Sequence, residues 1–175
     1  LTRMRDVHCI SSDFRRLLRE ISQIMAAEVT GRLALETAPV KTPLADMQGE
    51  RLAGPAPLVV PVLRAGLSMA EGFLEIMPEA DVGHIGVYRD HETKRPVEYL
   101  VKLPEPHGQM VFVVDPMLAT GYSAIHALQC LFRAGFQSEQ CVMVSLVAAP
   151  EGVRGVQDNG PGVPMYLAAR DEELN

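Results

Sequence analysis

Residues 113–124 read VVDPMLATGYSA. Two valines end in an aspartate. Small and hydroxyl residues follow, and then a helical pattern begins. This order, from strand to glycine-containing turn to helix, decides the fold class. Backbone N–H groups at a helix N-terminus lack intrahelical partners, and the helix dipole adds positive potential, so such a turn holds anions. Ala119 and Gly121 let an anion approach the backbone, and Thr120 and Ser123 offer hydroxyl donors. Asp115 is a poor neighbour for a bare anion. It is a good acceptor for hydroxyl groups such as a ribose diol. A purely local reading stands beside this one: Ser123 caps the helix and Asp115 serves a turn.

Outward from this stretch, strands and helices alternate. Leu58–Leu63 is a short apolar run that suits a buried strand. Met69–Met77 reads as a short helix closed by Pro78, and Val82–Tyr88 as a second strand. Met110–Val114 is a third strand, Ser123–Ala134 a helix closed by Gly135, and Cys141–Ala148 a fourth strand. A short helix over 151–157 and a last strand over Tyr166–Ala169 are expected. Near the N-terminus, Ser11 or Ser12 is expected to cap a helix with Phe14, Leu17, Leu18, Ile21, Ile24 and Met25 at helical spacing. Residues 37–57 form a loop or an irregular strand pair. Residues 90–103, DHETKRPVEYLVKL, alternate charge and apolarity and are expected to form a β-hairpin arm. The fold class is therefore α/β: an open, mostly parallel sheet flanked by helices. Ligands of such sheets bind at the carboxyl ends of the strands.

The chain has 175 residues, 47% hydrophobic and 22% charged, with a formal net charge of −6. That is enough chain for one domain with a real core, and the charge argues against a general nucleic-acid or membrane surface. Cys9, Cys130 and Cys141 are spaced like neither a disulfide framework nor a zinc site, and they read as reduced thiols of a cytoplasmic protein. No apolar run approaches the roughly 18 residues that span a bilayer. His84, His107 and His126 lack a partner pattern and read as structural or solvated.

Two further strand ends carry cations. Arg64 follows the first apolar strand and precedes Ala65–Gly66, and Arg89 ends "VYR". An arginine at the carboxyl edge of a sheet suits bidentate binding of phosphate oxygens. A surface arginine is the alternative for either residue alone. Anion-binding groups at several strand ends make that alternative weaker.

The stretches VVPVLRAGLSMAEGFLEIMPEADVGHIGVYRDHETKRPVEYLVKLPE, VVDPMLATGYSA and VSLVAAPEGV together resemble the uracil phosphoribosyltransferase family. The resemblance implies a phosphoribosyltransferase-type sheet. It implies transfer of phosphoribose from 5-phosphoribosyl 1-diphosphate to uracil, giving uridine monophosphate and pyrophosphate. It assigns Asp115, Pro116, Met117, Leu118, Ala119, Thr120, Gly121, Tyr122 and Ser123 to the ribose 5-phosphate and ribose hydroxyls. Arg64 and Arg89 go to the diphosphate. Arg64, Arg89 and Asp115 are the expected catalytic residues. Mg2+ is expected with the diphosphate, held by no direct protein ligand. A homodimer or larger assembly, with GTP as an effector, is the expected organisation. A second reading is a non-catalytic protein of the same fold that binds phosphoribosyl diphosphate or a nucleotide and regulates.

The sequence departs from the family pattern in two places. The family loop usually reads ATGGS, and here Tyr122 stands at the second glycine. If that position needs a positive φ, tyrosine costs on the order of 1 kcal/mol or more. The family also continues with a segment resembling G-Y-I-x-P-G-L-G-D-A-G-D that holds uracil. Residues 1–175 contain no match to it, so the expectation is a single phosphoribosyltransferase domain with no uracil-binding residues in this chain.

Overall fold

The computed structural model describes residues 1–89 and 96–174, apart from the side chains of Arg89 and Pro96. In chain order the elements are α1 (Thr2–Arg5), α2 (Ser11–Thr30), β1 (Leu35–Lys41), β2 (Asp46–Leu52), β3 (Leu58–Leu63), α3 (Leu67–Ile76), β4 (Asp81–Val82), β5 (His84–Arg89) and β6 (Pro96–Lys102). They continue with β7 (Val111–Val114), β8 (Met117–Leu118), α4 (Tyr122–Arg133), a 3-10 turn at Ser138–Gln140, β9 (Cys141–Ala148), α5 (Pro150–Asn159) and β10 (Met165–Arg170).

The central sheet runs β10-β9-β7-β3-β5-β6. All neighbours on this path are parallel except β5 and β6, which pair antiparallel from His84↔Lys102 to Arg89↔Pro96. The expected arm near 90–103 thus supplies an edge strand of the main sheet, and residues 90–95 lie outside the described residues. The expected strand pair within 37–57 is the hairpin of β1 and β2.

Strand alternation sorts the core onto two faces. Leu58, Val60, Val62, Val111, Val113 and Met143 meet α4 and α5 through Leu128, Leu131, Val153 and Val156. Val59, Phe112, Val114, Val142 and Val144 meet α2 and α3 through Leu18, Met25, Met69 and Phe73. Covering both faces is why β3 and β7 read as unbroken apolar runs rather than alternating ones. Pro61 sits inside β3 and has no N–H to give. Pairing to the next strand is interrupted beside it: Val59 pairs with Val82 and Val62 with Ile85, and Gly83 lies between.

The first long helix differs from its sequence reading. Its N-cap is Ile10, which makes no side-chain cap, and Ser11 and Ser12 lie inside the helix. Ile24 is 71% exposed, whereas Ser22 is fully buried. The cause is α3: a Cβ on Gly72 would lie 2.6 Å from the Arg19 carbonyl oxygen and 2.8 Å from Ser22 Cβ. The helices approach so closely there that only small residues fit. Ser22 Oγ satisfies itself by donating to the Leu18 carbonyl at 2.6 Å. Among the described residues no helix is long and apolar enough to cross a membrane.

Candidate active site

β3 and β7 are neighbours, yet the chain leaves them in opposite directions. From β3 it passes through α3 to β4 and β5, and from β7 through α4 to β9 on the other side. Such a reversal opens a crevice at the carboxyl ends of the two strands. Both loops singled out in the sequence end there.

After β7 the chain does not simply leave the sheet. The Asp115 N–H donates to the Val144 carbonyl at 3.1 Å, Val147 N–H to the Pro116 carbonyl at 3.1 Å, and Ala149 N–H to the Leu118 carbonyl at 2.9 Å. Met117 and Leu118 thereby form β8 against the end of β9. Gly121 then turns the backbone with φ +82° and is the N-cap of α4. Asp115 and residues 117–124 line a small cavity of about 70 Å³. α4 has no side-chain cap, and the cavity lies at its N-terminus, the end of a helix that favours anions.

Two sequence readings are corrected here. Ser123 does not cap the helix; it is the second residue of α4. The left-handed φ falls on Gly121, one residue before Tyr122. Tyr122 is an ordinary first helical residue with its side chain 53% exposed, so its substitution for glycine carries no backbone penalty.

The sequence reading missed the support beneath the turn. A Cβ on Gly152 of α5 would lie 2.5 Å from the Leu118 carbonyl oxygen and 2.6 Å from that of Ala119. Gly155, one turn on, faces Ile125 and the Thr120 carbonyl. The signal was legible in PEGVRGV, two glycines three apart at the start of a helix.

Asp115 is 8% exposed. Burial pushes its carboxyl up to about 7, against a smaller opposing effect from the Met117 N–H that it accepts. A buried carboxylate with a single backbone donor has acceptor capacity left for hydroxyl groups brought by a ligand.

After β3 the Leu63–Arg64 peptide is cis, and Arg64 is exposed. Gly66 makes the turn fit: a Cβ there would lie 2.4 Å from the Val114 carbonyl oxygen and 2.8 Å from the Val62 nitrogen. The Arg64–Gly66 turn is therefore pressed against the residue that precedes Asp115. The backbone of Arg89 ends β5, while its side chain lies outside the described residues. Arg64 and the Asp115–Ser123 turn are thus brought to one crevice.

The sequence pattern of the uracil phosphoribosyltransferase family matches residues 1–175. The chain belongs to the uracil phosphoribosyltransferase family. A uracil phosphoribosyltransferase of Rhodospirillum centenum is 51% identical over 175 residues, covering 100% of this chain and 81% of the relative. One of Paraburkholderia phymatum is 49% identical with the same coverage. Among solved structures, a protein of Aquifex aeolicus superposes with a TM-score of 0.90 at 32% identity, covering 99% of this chain and 83% of that one. A purine phosphoribosyltransferase of Pyrococcus horikoshii reaches a TM-score of 0.61 at 14% identity and bears on the fold alone. The uracil phosphoribosyltransferase match includes both loops of the crevice.

Proposed function

We propose that the chain transfers phosphoribose from 5-phosphoribosyl 1-diphosphate to uracil, releasing pyrophosphate and forming uridine monophosphate, with residues 1–175 acting as one phosphoribosyltransferase domain. The observation that carries this is the pairing of two different anion sites in one crevice. A backbone cradle at the start of α4 sits beside a turn that carries a guanidinium after β3.

In this reading the 5-phosphate takes the N–H groups of Gly121, Ser123 and Ala124 with the hydroxyls of Thr120 and Ser123. Asp115 accepts from the ribose hydroxyls, and Pro116–Ala119 hold that geometry through their bonds to β9. Arg64, with Arg89 at the neighbouring strand end, takes the diphosphate. The carbon–oxygen bond to the diphosphate breaks as the bond to the uracil nitrogen forms; the electron pair leaves with the diphosphate, and the proton of the uracil N–H passes to the leaving diphosphate or to solvent. Positive charge grows on the sugar and negative charge on the leaving group. A guanidinium fixed at the leaving group stabilises the latter without reorganising. Diphosphate is already a good leaving group, so positioning supplies most of the rest.

Magnesium fits as a passenger of the substrate. Among the described residues Asp115 is the single carboxylate lining the cradle, and burial disfavours its charged form. Mg2+ typically binds substrate phosphates and keeps several waters, and it supplies charge neutralisation of the diphosphate when present. A homodimer is the proposed organisation, supported by the exposed apolar residues Tyr88, Tyr99, Leu100 and Val101 of β5 and β6.

The test is conversion of radiolabelled uracil to uridine monophosphate in the presence of phosphoribosyl diphosphate and Mg2+, run beside calorimetric binding of the phosphoribosyl diphosphate. Binding at one site per chain is the expected result; because no residue of 1–175 is assigned to uracil, conversion is expected when a relative's uracil-holding segment is supplied as well. Conversion of another base in preference to uracil, or no binding of the diphosphate sugar, would overturn the proposal.

A further inference from the structure

Away from this crevice, β6 and α4 bring together three side chains of different ligand chemistry. Glu98 comes from β6. His126 and Cys130 come from α4, four residues apart and therefore on one face of the helix. Glu98 Oε2 lies 3.0 Å from His126 Nε2 and accepts from Cys130 Sγ at 3.2 Å. The three ligand atoms all lie within 4.8 Å of one another. Arg133, one turn further along α4, closes the cluster: its Nη2 lies 2.7 Å from Glu98 Oε2 and 3.1 Å from Cys130 Sγ.

We propose that Glu98, His126 and Cys130 form a binding site for one divalent cation of the zinc class, separate from any magnesium carried by the substrate. An imidazole nitrogen, a thiolate sulfur and a carboxylate oxygen make a donor set that zinc takes in tetrahedral geometry. Its bonds of about 2.0–2.3 Å put neighbouring ligand atoms a little under 4 Å apart. The spacings of 3.0 and 3.2 Å to Glu98 must spread slightly, and the widest spacing, up to 4.8 Å, must close by about 1 Å, to admit the ion. Mg2+ and Ca2+ take all-oxygen sets and are poor occupants of a site with sulfur and nitrogen donors.

The cluster already holds a cation in the guanidinium of Arg133, whose side chain is 64% exposed and free to swing into solvent. A divalent ion replaces that charge. The Cys130 S–H bond breaks, its proton passes to solvent, and its electron pair goes to the metal, so no electrons are exchanged. Water completes the tetrahedron. The ion ties the antiparallel edge strand β6 to the helix whose first turn forms the phosphate cradle.

The test is a Co2+ titration of the untagged 175-residue chain, followed through the sulfur-to-cobalt charge-transfer absorption and then competed with Zn2+. The expected result is saturation at one Co2+ per chain, displacement by one equivalent of Zn2+, and no displacement by excess Mg2+. The band is lost in Cys130→Ser and kept in Cys9→Ser. Affinity falls at least about tenfold in His126→Ala and Glu98→Gln. At a hundredfold excess over its Kd, Zn2+ raises the Tm of the parent chain by about 5–10 °C. If Cys130→Ser does not fold, His126→Ala decides. An unchanged band and affinity in His126→Ala, a band that persists in a folded Cys130→Ser, or no saturable band in the parent chain would each overturn the proposal and leave a plain ion-pair latch.

Discussion

Gly121 and Gly152 meet backbone to backbone: a Cβ on Gly121 would lie 3.1 Å from the Gly152 carbonyl oxygen and 3.2 Å from its Cα. The turn that forms the cradle and the helix that supports it are in contact because neither residue has a side chain. Gly152→Ala pushes a methyl group into the carbonyls of Leu118 and Ala119, which are backbone and cannot step aside cheaply. The gain in helix propensity, about 1 kcal/mol, is smaller than overpacking of about 1–3 kcal/mol. Loss of stability and at least tenfold weaker binding of ribose 5-phosphate (roughly 1.4 kcal/mol) are expected, read by denaturant melts and calorimetry. Gly155→Ala is the control. Its methyl meets the tip of Ile125 at 3.1 Å, which can move, so stability is expected to hold or rise slightly.

Asp115→Asn separates stability from binding. Burial raises the Asp115 carboxyl from 3.8 to about 7, so between these values the folded chain holds a proton that the unfolded chain has lost. Stability from this group is full below about pH 4, falls as pH rises through 7, and is flat above. Asparagine cannot ionise. The variant is therefore expected to be more stable than the parent at pH 8, by up to about 4 kcal/mol, with the advantage shrinking toward pH 4. Urea melts at pH 4.5 and pH 8 measure it; a constant difference between the two would refute the assignment. Binding of phosphoribosyl diphosphate should weaken at the same time, as a charged acceptor for the ribose hydroxyls is lost.

Arg64→Ala is expected to weaken phosphoribosyl diphosphate by about 1.5–3 kcal/mol and ribose 5-phosphate hardly at all. Arg64 is exposed at the end of β3, so its removal should leave the fold unchanged. Calorimetry with both ligands decides the matter: equal losses would show that Arg64 does not serve the diphosphate.

Tyr122→Gly tests the departure from the family loop. Because Tyr122 opens α4 and Gly121 carries the positive φ, glycine at 122 relieves no strain and adds freedom to the unfolded chain. Stability is expected to fall by up to about 1 kcal/mol, and phosphoribosyl diphosphate affinity to stay within about threefold, less than 1 kcal/mol. Titration at fixed Mg2+ measures it. A tenfold gain would mean that the ring crowds the ligand.

The parts of this fold that were legible in the sequence are those where one physical signal dominates. β3 and β9 have the bounds that their apolar runs suggest, because strands covered on both faces stay apolar up to their ends, Ser145 lying inside β9. The strand, turn and helix of residues 113–124 were legible because small residues and a buried acid have few other uses at a strand end. The helix caps were not: Ser11, Ser12 and Ser123 all have capping side chains, and in each case the chain enters the helix one or two residues earlier. The buried face of α2 was misjudged because close approach to Gly72 selects Ser22 over Ile24, and nothing within α2 reports on Gly72. The Glu98, His126 and Cys130 cluster was not legible from spacing because one ligand comes from a strand 28 and 32 residues away from the other two.

The crevice stands on the two strands most deeply sealed in the molecule. Val59, Val60, Val113 and Val114 have no exposed surface. Their amide hydrogens can exchange with solvent only when the entire fold opens, whereas the turns at 64–66 and 119–124 can open locally. Ligand binding should therefore slow exchange first in those turns, while the strand ends below them already exchange at the slowest rate the protein allows. The floor of the site is therefore expected to be among the last parts of the structure lost on unfolding, and the turns above it the first place where a bound substrate is felt.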